Sequence, residues 1–499
     1  MVMSTILVID TGSSSMRGIL YEANGRSVFM HQEHYLMKTW VNAAEYEPKD
    51  FETALIRICQ NCAAFAQKNG ITIDTVSFTS QRSSILPVGP DGQPLAAIMT
   101  WYDKRASGIC DRINAVHRKT LFETAGMQAS PVLSAPKIVW LMENRPDLYD
   151  AAYKIIGIQD YLIFLCTGII MTDASLASRS NLMDIRTKSW SSDLLHLYGI
   201  DAEKLADLYP PCSIVGCITP DFSKKTGLSE NTSVIAAGGD QQCSVLGQGL
   251  FRPGDSGITC GSGSYVASII DALLTDPLLR LNTNVAIGPG QWVLEASTLS
   301  SGTVQDWFLR TFYPGIPDAL HVMQTEAQTS PPGANGLVML PDLAGKGAPD
   351  WDNYAKGVFW NVNFSVSRSD FSRAMLEGLC AEIAECHEVL HDLDPRVCDV
   401  HVTGGLSRFP LFNQILADMI GSRVSRVPHD ETTSIGAYMA ALLALKRVNS
   451  LEEAYSCVIP ADATEPYSPD PATALLYRKA AERRRLLYSS IPSRALSAQ

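Results

Sequence analysis

The first residues of this chain with the types and spacing to do chemistry are Asp10 and the small residues after it. Residues 6–9 are apolar and predict a buried strand, and Asp10 stands at its end. A tight turn of glycine and small hydroxyl residues then leads into a second apolar run. Such a turn exposes backbone N–H groups and suits the phosphates of a nucleotide, while the neighbouring carboxylate suits Mg²⁺, which prefers oxygen ligands. Taken alone, the segment is also compatible with an ordinary hairpin that has a polar tip.

A strand followed by a small-residue turn occurs twice more along the chain. Residues 257–260 lead into one turn, and residues 400–403 lead into another, which opens a helical pattern over residues 412–420. The residues that define these turns are Gly261 and Ser262, and Gly404 and Gly405. Similar turns in corresponding places of two halves indicate a duplicated architecture. A strand, a glycine pair and a helix start also form a cradle for a nucleotide.

A second carboxylate, Asp240, leaves the apolar run of residues 234–237 through two glycines, Gly238 and Gly239. The glycines allow close approach of a substrate. When a phosphoryl group is transferred to a hydroxyl, the hydroxyl must lose a proton as it attacks, and a carboxylate within reach can accept it. We therefore predict that Asp240 is a general base. The alternative is that Asp240 only caps a helix that begins at Gln241.

Strands and helices alternate along the chain, which predicts α/β layers with mixed sheets. We expect two α/β domains with a cleft between them, over residues 1–250 and 251–455, and a helical tail over residues 456–499. The periodicity predicts helices at about residues 50–69, 136–144, 159–166, 302–312, 371–390, 412–420 and 435–445.

The chain resembles the FGGY family of carbohydrate kinases over roughly residues 5–455. Besides the three turns, the resemblance rests on residues 101–105 (WYDKR), 137–144 (KIVWLMEN), 238–242 (GGDQQ), 345–351 (GKGAPDW) and 431–437 (ETTSIGA). It implies two actin-like (ribonuclease H-like) ATPase domains with an interdomain cleft. It also implies ATP and Mg²⁺ as cofactors, and ATP-dependent phosphorylation of a hydroxyl of a small sugar or polyol.

The resemblance assigns the nucleotide site to the three turns. Asp10 would hold Mg²⁺ through water, on the wall opposite the acceptor pocket. Arg17 would contact a phosphate, although a surface-strand arginine is the alternative. Gly302 would start a helix whose N-terminal partial charge suits phosphate oxygens, and it would face the ribose and adenine together with the third turn. The implied nucleotide contacts are Thr11, Gly12, Ser13, Ser14, Ser15, Arg17, Gly261, Ser262, Gly302, Gly404 and Gly405.

The same resemblance assigns the acceptor pocket, where Asp240 acts. Arg82 and Gln241 would hydrogen-bond acceptor hydroxyls, while Trp101 and Tyr265 would lie against the carbon chain.

Two positions of that pocket depart from glycerol kinase. Ser83 stands where an acidic residue is expected, and Val132 where an aromatic residue is expected. Since the loss of a carboxylate and a phenol enlarges the pocket, we expect an acceptor larger than glycerol. Glycerol kinase itself is the alternative. A non-catalytic actin-like nucleotide-binding protein is the alternative of another class, and Asp240 and residues 101–105 argue against it.

Composition limits the kinds of partner that the protein can have. The chain has 499 residues and a net charge of −12, which gives no basic footprint for nucleic acid and argues against an electrostatic membrane anchor. Cys59 and Cys62 form the only close cysteine pair of twelve, and we expect half-buried helix thiols rather than a metal site. The first residues lack a signal-peptide pattern, so we expect a cytoplasmic location. A homodimer and a homotetramer both stay open as the assembly.

Overall fold

Two large mixed sheets, one in each half of the chain, carry most of the strands. The computed structural model describes residues 4–274, 276–352, 354–429, 431–460 and 463–491. The strands of the first half are β1 (Ser4–Thr11), β2 (Ser15–Tyr21), β3 (Ser27–His34), β4 (Lys38–Trp40), β5 (Ala43–Tyr46), β6 (Thr72–Ser80), β7 (Leu86–Val88), β8 (Ile98–Met99), β9 (Lys154–Ile156), β10 (Met171–Asp173), β11 (Met183–Asp184), β12 (Ser189–Trp190), β13 (Asp207–Tyr209), β14 (Ser213–Cys217) and β15 (Ser233–Gly239). The strands of the second half are β16 (Ser256–Cys260), β17 (Ser264–Ile270), β18 (Asn282–Val285), β19 (Trp292–Ser297), β20 (Val338–Leu340), β21 (Val358–Trp360), β22 (Val400–Gly404), β23 (Val424–Arg426) and β24 (Glu465–Tyr467).

Helices cover the faces of these sheets. Those of the first half are α1 (Pro48–Lys68), α2 (Ser107–Ala125), α3 (Ser134–Asn144), α4 (Pro146–Ala151), α5 (Ile158–Thr167), α6 (Ala174–Ala177), α7 (Ser192–Tyr198), α8 (Pro220–Thr226) and α9 (Asp240–Gly247). Those of the second half are α10 (Gly302–Phe312), α11 (Ala319–Thr329), α12 (Arg368–Leu393), α13 (Pro410–Ile420), α14 (Thr432–Ala444), α15 (Leu451–Val458) and α16 (Pro471–Ser490). Short 3-10 turns lie at residues 178–180, 202–204, 334–336 and 406–408. Within the described ranges, no helix is long and apolar enough to cross a membrane.

The two sheets repeat one topology. In the first, the order is β14-β15-β6-β1-β2-β3, with β1, β2 and β3 antiparallel and with β6 and β15 parallel to β1. In the second, β19, β17 and β16 are antiparallel, and β22 and β23 run parallel to β16. Five strands in each half therefore follow the same pattern, which confirms the predicted duplication and the predicted α/β fold class.

Strand register brings the loops of each half together. Thr11 at the end of β1 pairs with Ser80 at the end of β6, and Ser80 pairs with Gly239 at the end of β15. In the second half, Cys260 at the end of β16 pairs with Gly404 at the end of β22. Because parallel strands in register finish at one edge of a sheet, the residues that follow them are neighbours in space.

The halves meet through α9 and α14. A Cβ on Gly247 would lie 1.9 Å from the Thr432 carbonyl oxygen, and one on Gly436 would lie 1.8 Å from that of Cys243. Only glycine at these positions lets the two helix backbones pack so closely. Ser77 of β6 also donates to the Ala437 carbonyl oxygen at 2.9 Å, so a helix from late in the chain packs on the first sheet. The domain boundary near residue 250 stays a prediction.

The predicted helices of the second half agree well with the structure, and α10 has the predicted bounds. The segment after residue 455 contains more than a helix, since β24 pairs with β23 and extends the second sheet. Tyr477 of α16 is buried in the core of the second half. Residues 461–462 and 492–499 of the predicted tail lie outside the described residues. Cys59 and Cys62 are fully buried on α1, not half-buried as expected.

Candidate active site

Three loops of the first half meet where its parallel strands end. Asp10 is the second-last residue of β1, Arg82 and Ser83 follow β6, and Asp240 follows β15. Asp10 and Asp240 therefore lie on one edge of one sheet, with a single strand between theirs. The expectation that Asp10 is on the wall opposite the acceptor pocket was wrong, because in-register parallel strands place both carboxylates on the same wall.

Asp240 lies at the start of α9, with about a quarter of its side chain exposed. Its Oδ1 accepts a 2.7 Å hydrogen bond from the Gln241 amide, and the Nε of Arg82 lies 3.6 Å from the same oxygen. Burial raises the pKa of Asp240 to about 6, against the opposing effect of the Arg82 charge. The carboxylate is thus ionised at neutral pH yet basic enough to accept a proton, as a general base requires.

Gly239 leaves space for the side chain of Arg82. A Cβ on Gly239 would lie 2.9 Å from Cδ of Arg82 and 2.8 Å from Oε1 of Gln242. Glycine before Asp240 therefore makes room for the arginine stem, and the expectation that the glycine pair admits the substrate stays a prediction. Gly238, with φ of +134°, adopts a conformation that other residues rarely adopt.

Glu295 is a site residue that the sequence reasoning missed. It lies on β19 of the second half and accepts hydrogen bonds from Arg82, from Nη2 to Oε1 at 2.7 Å and from Nη1 to Oε2 at 3.3 Å. Asn284 donates to Oε2 at 2.6 Å, and Arg179 approaches within 3.8 Å. Burial would raise the pKa of Glu295, but the guanidinium groups of Arg82 and Arg179 hold it below its usual value. The one feature of the sequence that could have indicated Glu295 is that it is a single acidic residue within an apolar strand.

The structure places three of the six predicted acceptor residues in one cavity. Arg82, Gln241 and Tyr265 line one cavity, to which both halves contribute, together with Glu295. Ser83, the neighbour of Arg82 in the chain, instead lines a separate cavity. Trp101 donates from Nε1 to Ser13 Oγ at 3.2 Å, so this indole connects the predicted acceptor region to the first turn.

The first turn, residues 11–15, is held by side chains from other elements. Tyr35 donates to the Gly12 carbonyl oxygen, Tyr46 donates to that of Ser13 at 2.6 Å, and Gln81 donates to that of Gly12 at 3.0 Å. Gly12 also donates to the Ser15 carbonyl oxygen at 3.0 Å. Ser14 at the tip is exposed.

Thr11 is buried, and its Oγ1 has no hydrogen-bond partner among the described residues. The base of the turn thus carries a buried hydroxyl whose hydrogen-bonding capacity is unsatisfied among the described residues.

Arg17 links the first turn to the second half of the chain. Its Nη2 lies 2.6 Å from Oδ2 of Asp10, and its Nη1 lies 2.7 Å from Oε1 of Glu431. Burial raises the pKa of Asp10, and the charge of Arg17 opposes that shift. Arg17 is half-buried and ion-paired, so it differs from an ordinary surface-strand arginine.

The second turn packs against the start of α10. Gly261 and Ser262 are exposed, as a phosphate contact requires. However, the amide of Gly302 donates to the Gly261 carbonyl oxygen at 3.0 Å, and that of Ser301 donates to Ser262 at 2.7 Å. The first amides of this helix thus hold the turn in place. The Gly302 N–H is therefore not free to bind phosphate, contrary to the expectation from the sequence. A Cβ on Gly302 would lie 2.7 Å from the Gly261 oxygen.

The third turn lies beside the second. A Cβ on Gly404 would lie 2.2 Å from the Cys260 carbonyl oxygen, and its φ is +92°. Only glycine is compatible with both conditions. Gly405 is exposed and faces open space. The two turns thus adjoin at the ends of β16 and β22, where open α/β sheets bind ligands.

A duplicated α/β fold with glycine turns at the ends of its strands, and a carboxylate of raised pKa beside an arginine, fit the class of phosphoryl-transfer enzymes that have two halves of similar topology. Models of the FGGY family of carbohydrate kinases match the chain, the N-terminal domain over residues 5–247 and the C-terminal domain over residues 257–445. The chain belongs to this family. It is a kinase that uses ATP to phosphorylate a hydroxyl of a sugar or polyol.

Relatives with different substrates are similar to the chain to about the same degree. Xylulose kinase of Bacillus subtilis (strain 168) is 26% identical over 90% of each chain. Gluconokinase of Bacillus licheniformis is 26% identical over 95% of this chain and 94% of the relative. The structure of Plasmodium falciparum glycerol kinase with ADP superposes with a TM-score of 0.90 at 23% identity, covering 98% of this chain and 99% of that one. These similarities leave the substrate open.

Proposed function

We propose that the protein transfers the γ-phosphoryl group of ATP to a polyol or ketose of roughly four to six carbons, with Asp240 as general base. One observation carries the assignment of the base. Asp240, with its raised pKa, lies beside Arg82 at the edge of the sheet that also holds Asp10 and the first turn.

The chemistry assigned to Asp240 is a proton transfer. Its Oδ1 accepts a hydrogen bond from the Gln241 amide. Oδ2 is therefore the oxygen that takes the proton of the acceptor hydroxyl. The hydroxyl oxygen forms a bond to the γ-phosphorus, the bond from that phosphorus to the β–γ bridging oxygen breaks, and ADP leaves. Arg82 and Gln241 orient the hydroxyls, and Tyr265 lies against the carbon chain.

The residues present fit Mg²⁺ held chiefly by phosphate oxygens and water. Asp10 supplies one buried carboxylate beside the turn, and the part of the chain that the structure describes contains no group of three or more ligating side chains. Mg²⁺ commonly binds through one or two carboxylates plus phosphates. When bound, it would neutralise phosphate charge. The exposed residues of the first two turns are proposed to contact the phosphates, and Gly405 to lie near the nucleoside. Arg17 is proposed to contact a phosphate after it leaves one of its two ion pairs.

The size of the acceptor is inferred from Ser83 and Val132. Neither residue offers the carboxylate or the phenol that the resemblance to glycerol kinase implies, so glycerol hydroxyls would be held less fully. A site that hydrogen-bonds each hydroxyl discriminates strongly, because every buried unpaired group costs about 1 to 3 kcal/mol. The runner-up, glycerol kinase, is supported by Arg82, Asp240 and Gln241, which suit glycerol equally well.

An ADP-release assay on the purified protein tests the proposal against glycerol and a series of longer polyols and ketoses. We expect a higher kcat/KM for at least one longer acceptor than for glycerol. The double variant Ser83→Glu with Val132→Tyr should shift the preference toward glycerol, and each single variant serves as its control.

Two outcomes would contradict this proposal. A preference of the unmodified protein for glycerol over every longer acceptor supports the runner-up. ATP hydrolysis without any phosphorylated product from the acceptors tested contradicts the proposed acceptor class. The cytoplasmic location and the assembly as a homodimer or homotetramer stay predictions.

A further inference from the structure

Lys137, on α3, is a fully buried lysine whose ammonium group contacts the segments of Ser83 and Val132. Its Nζ donates to three backbone carbonyl oxygens, those of Ser83 at 3.2 Å, Val132 at 2.5 Å and Leu133 at 3.0 Å. An ammonium group has three N–H donors, so each donor has its own carbonyl partner. The partners belong to the two chain segments that carry the specificity positions Ser83 and Val132.

The Ser83 loop depends on polar contacts for its position. Ser83 has φ of +71°, the left-handed region that non-glycine residues rarely adopt. Such a conformation persists only where the surroundings hold it. A cavity lined by Ser83, Ser84 and Asp160 adjoins the loop, so side-chain packing does not fill this space. Besides Lys137, the contacts of Ser83 are weak: Ser134 Oγ donates to its carbonyl at 3.4 Å, and its own hydroxyl donates to the Arg179 carbonyl at 3.3 Å.

Resting on the function proposed above, we propose that Lys137 is a positioning residue that ties the Ser83 and Val132 segments together and thereby sets the shape of the acceptor pocket. It acts through these segments and does not touch the reacting atoms. Its removal should therefore affect acceptor binding and leave nucleotide binding unchanged.

The charge on Lys137 is sensitive to pH near neutrality. Burial lowers its pKa to about 7. The groups that face it are Asp103 before α2, whose charge favours the ammonium form, the thiol of Cys110 on α2, and Arg179 in the 3-10 turn at residues 178–180, whose charge opposes that form. Asp103 is engaged by Arg105 and gives Lys137 no direct ion pair. A neutral amine has two donors for three carbonyls, so one carbonyl loses its partner as pH rises through about 7.

Lys137→Met tests the inference, since methionine has a similar length and no N–H donor. We expect the acceptor KM to rise at least about tenfold, the equivalent of one lost charge-assisted hydrogen bond, and the ATP KM to stay within about twofold. Lys204→Met is the matched control, because Lys204 also donates to two backbone carbonyls, but to those of Asp150 and Ala152 rather than to the Ser83 and Val132 segments. Equal effects on both KM values, or a control that behaves like Lys137→Met, would overturn the inference.

The pH profile gives an independent readout. In the unmodified protein, the acceptor KM should rise above pH about 7 while the ATP KM stays flat, and Lys137→Met should lack that rise. If the variant does not fold, the profile of the unmodified protein decides, and a flat acceptor KM between pH about 6.5 and 9 refutes the inference. Absence of any acceptor-dependent ADP release would instead refute the proposed function, so the two failures are distinguishable.

Discussion

Replacing Asp240 with asparagine separates two effects of this carboxylate, the loss of folding stability that its burial causes and its use as a base in the reaction. The change is nearly isosteric, and the Asn oxygen can still accept the Gln241 amide bond that Asp240 Oδ1 accepts at 2.7 Å. It removes only the charge and the proton acceptor. We expect kcat to fall by about 10²- to 10⁴-fold, the usual contribution of a general base, while ATP binding is retained.

The same variant should be more stable than the parent at neutral pH. Burial raises the pKa of Asp240 from 3.8 to about 6, so the folded protein disfavours the ionised form. Below pH about 4, Asp240 is protonated in the folded protein and its burial does not lower the free energy of unfolding. As pH rises from about 4 to about 6, the unfolded chain ionises more readily than the folded protein, and the free energy of unfolding falls. A shift of about 2 units corresponds to about 3 kcal/mol, and because a quarter of the side chain is exposed, we expect a gain of about 1 to 3 kcal/mol at pH 7.

Two measurements check this prediction, steady-state turnover by ADP release and urea unfolding at pH 7 and pH 4. The stability difference should shrink at pH 4, where Asp240 is largely protonated. Asp221→Asn is the control, since this carboxylate on α8 is 77% exposed and paired with Lys225, and it should change stability by less than about 0.5 kcal/mol. Turnover within a few-fold of the parent would mean that another group is the base, and a loss of stability at pH 7 would refute the reasoning about burial.

Two further predictions concern the neighbouring carboxylates. Asp10→Asn should raise the Mg²⁺ concentration needed for half-maximal activity at least about tenfold with an unchanged acceptor KM, and a Mg²⁺ titration like the parent's would exclude Asp10 as the metal residue. Glu295→Gln removes the closer of the two carboxylates that face the buried Arg82, the other being Asp240 at 3.6 Å, so the free energy of unfolding should fall by about 3 kcal/mol and kcat/KM for the acceptor should fall more than that for ATP. Glu123→Gln, at an exposed position, is its control, and a Glu295→Gln variant as stable and active as that control would argue against an anchoring role.

Much of the fold could be predicted because its signals are local. The strand that ends at Asp10, the turn after it and the helix over residues 302–312 are encoded in contiguous residues, whose apolar spacing and small side chains specify backbone conformation. The resemblance then implied a role for Asp240, and the structure places this carboxylate at the start of α9 beside Arg82.

The side chains that these residues contact could not be predicted in the same way, because contacts join residues that are close in the fold but far apart in the sequence. Arg82 and Glu295 are 213 positions apart, and only the packing of β19 against the first half makes them an ion pair. The amide of Gly302 looks free for a phosphate in the sequence, yet the second turn folds back and takes it. Lys137 shows the same limit. The sequence by itself determined that a lysine stands in a family motif, but only the tertiary structure decided that its three donors meet Ser83, Val132 and Leu133, because burial selects its partners from whichever carbonyls the fold brings within reach.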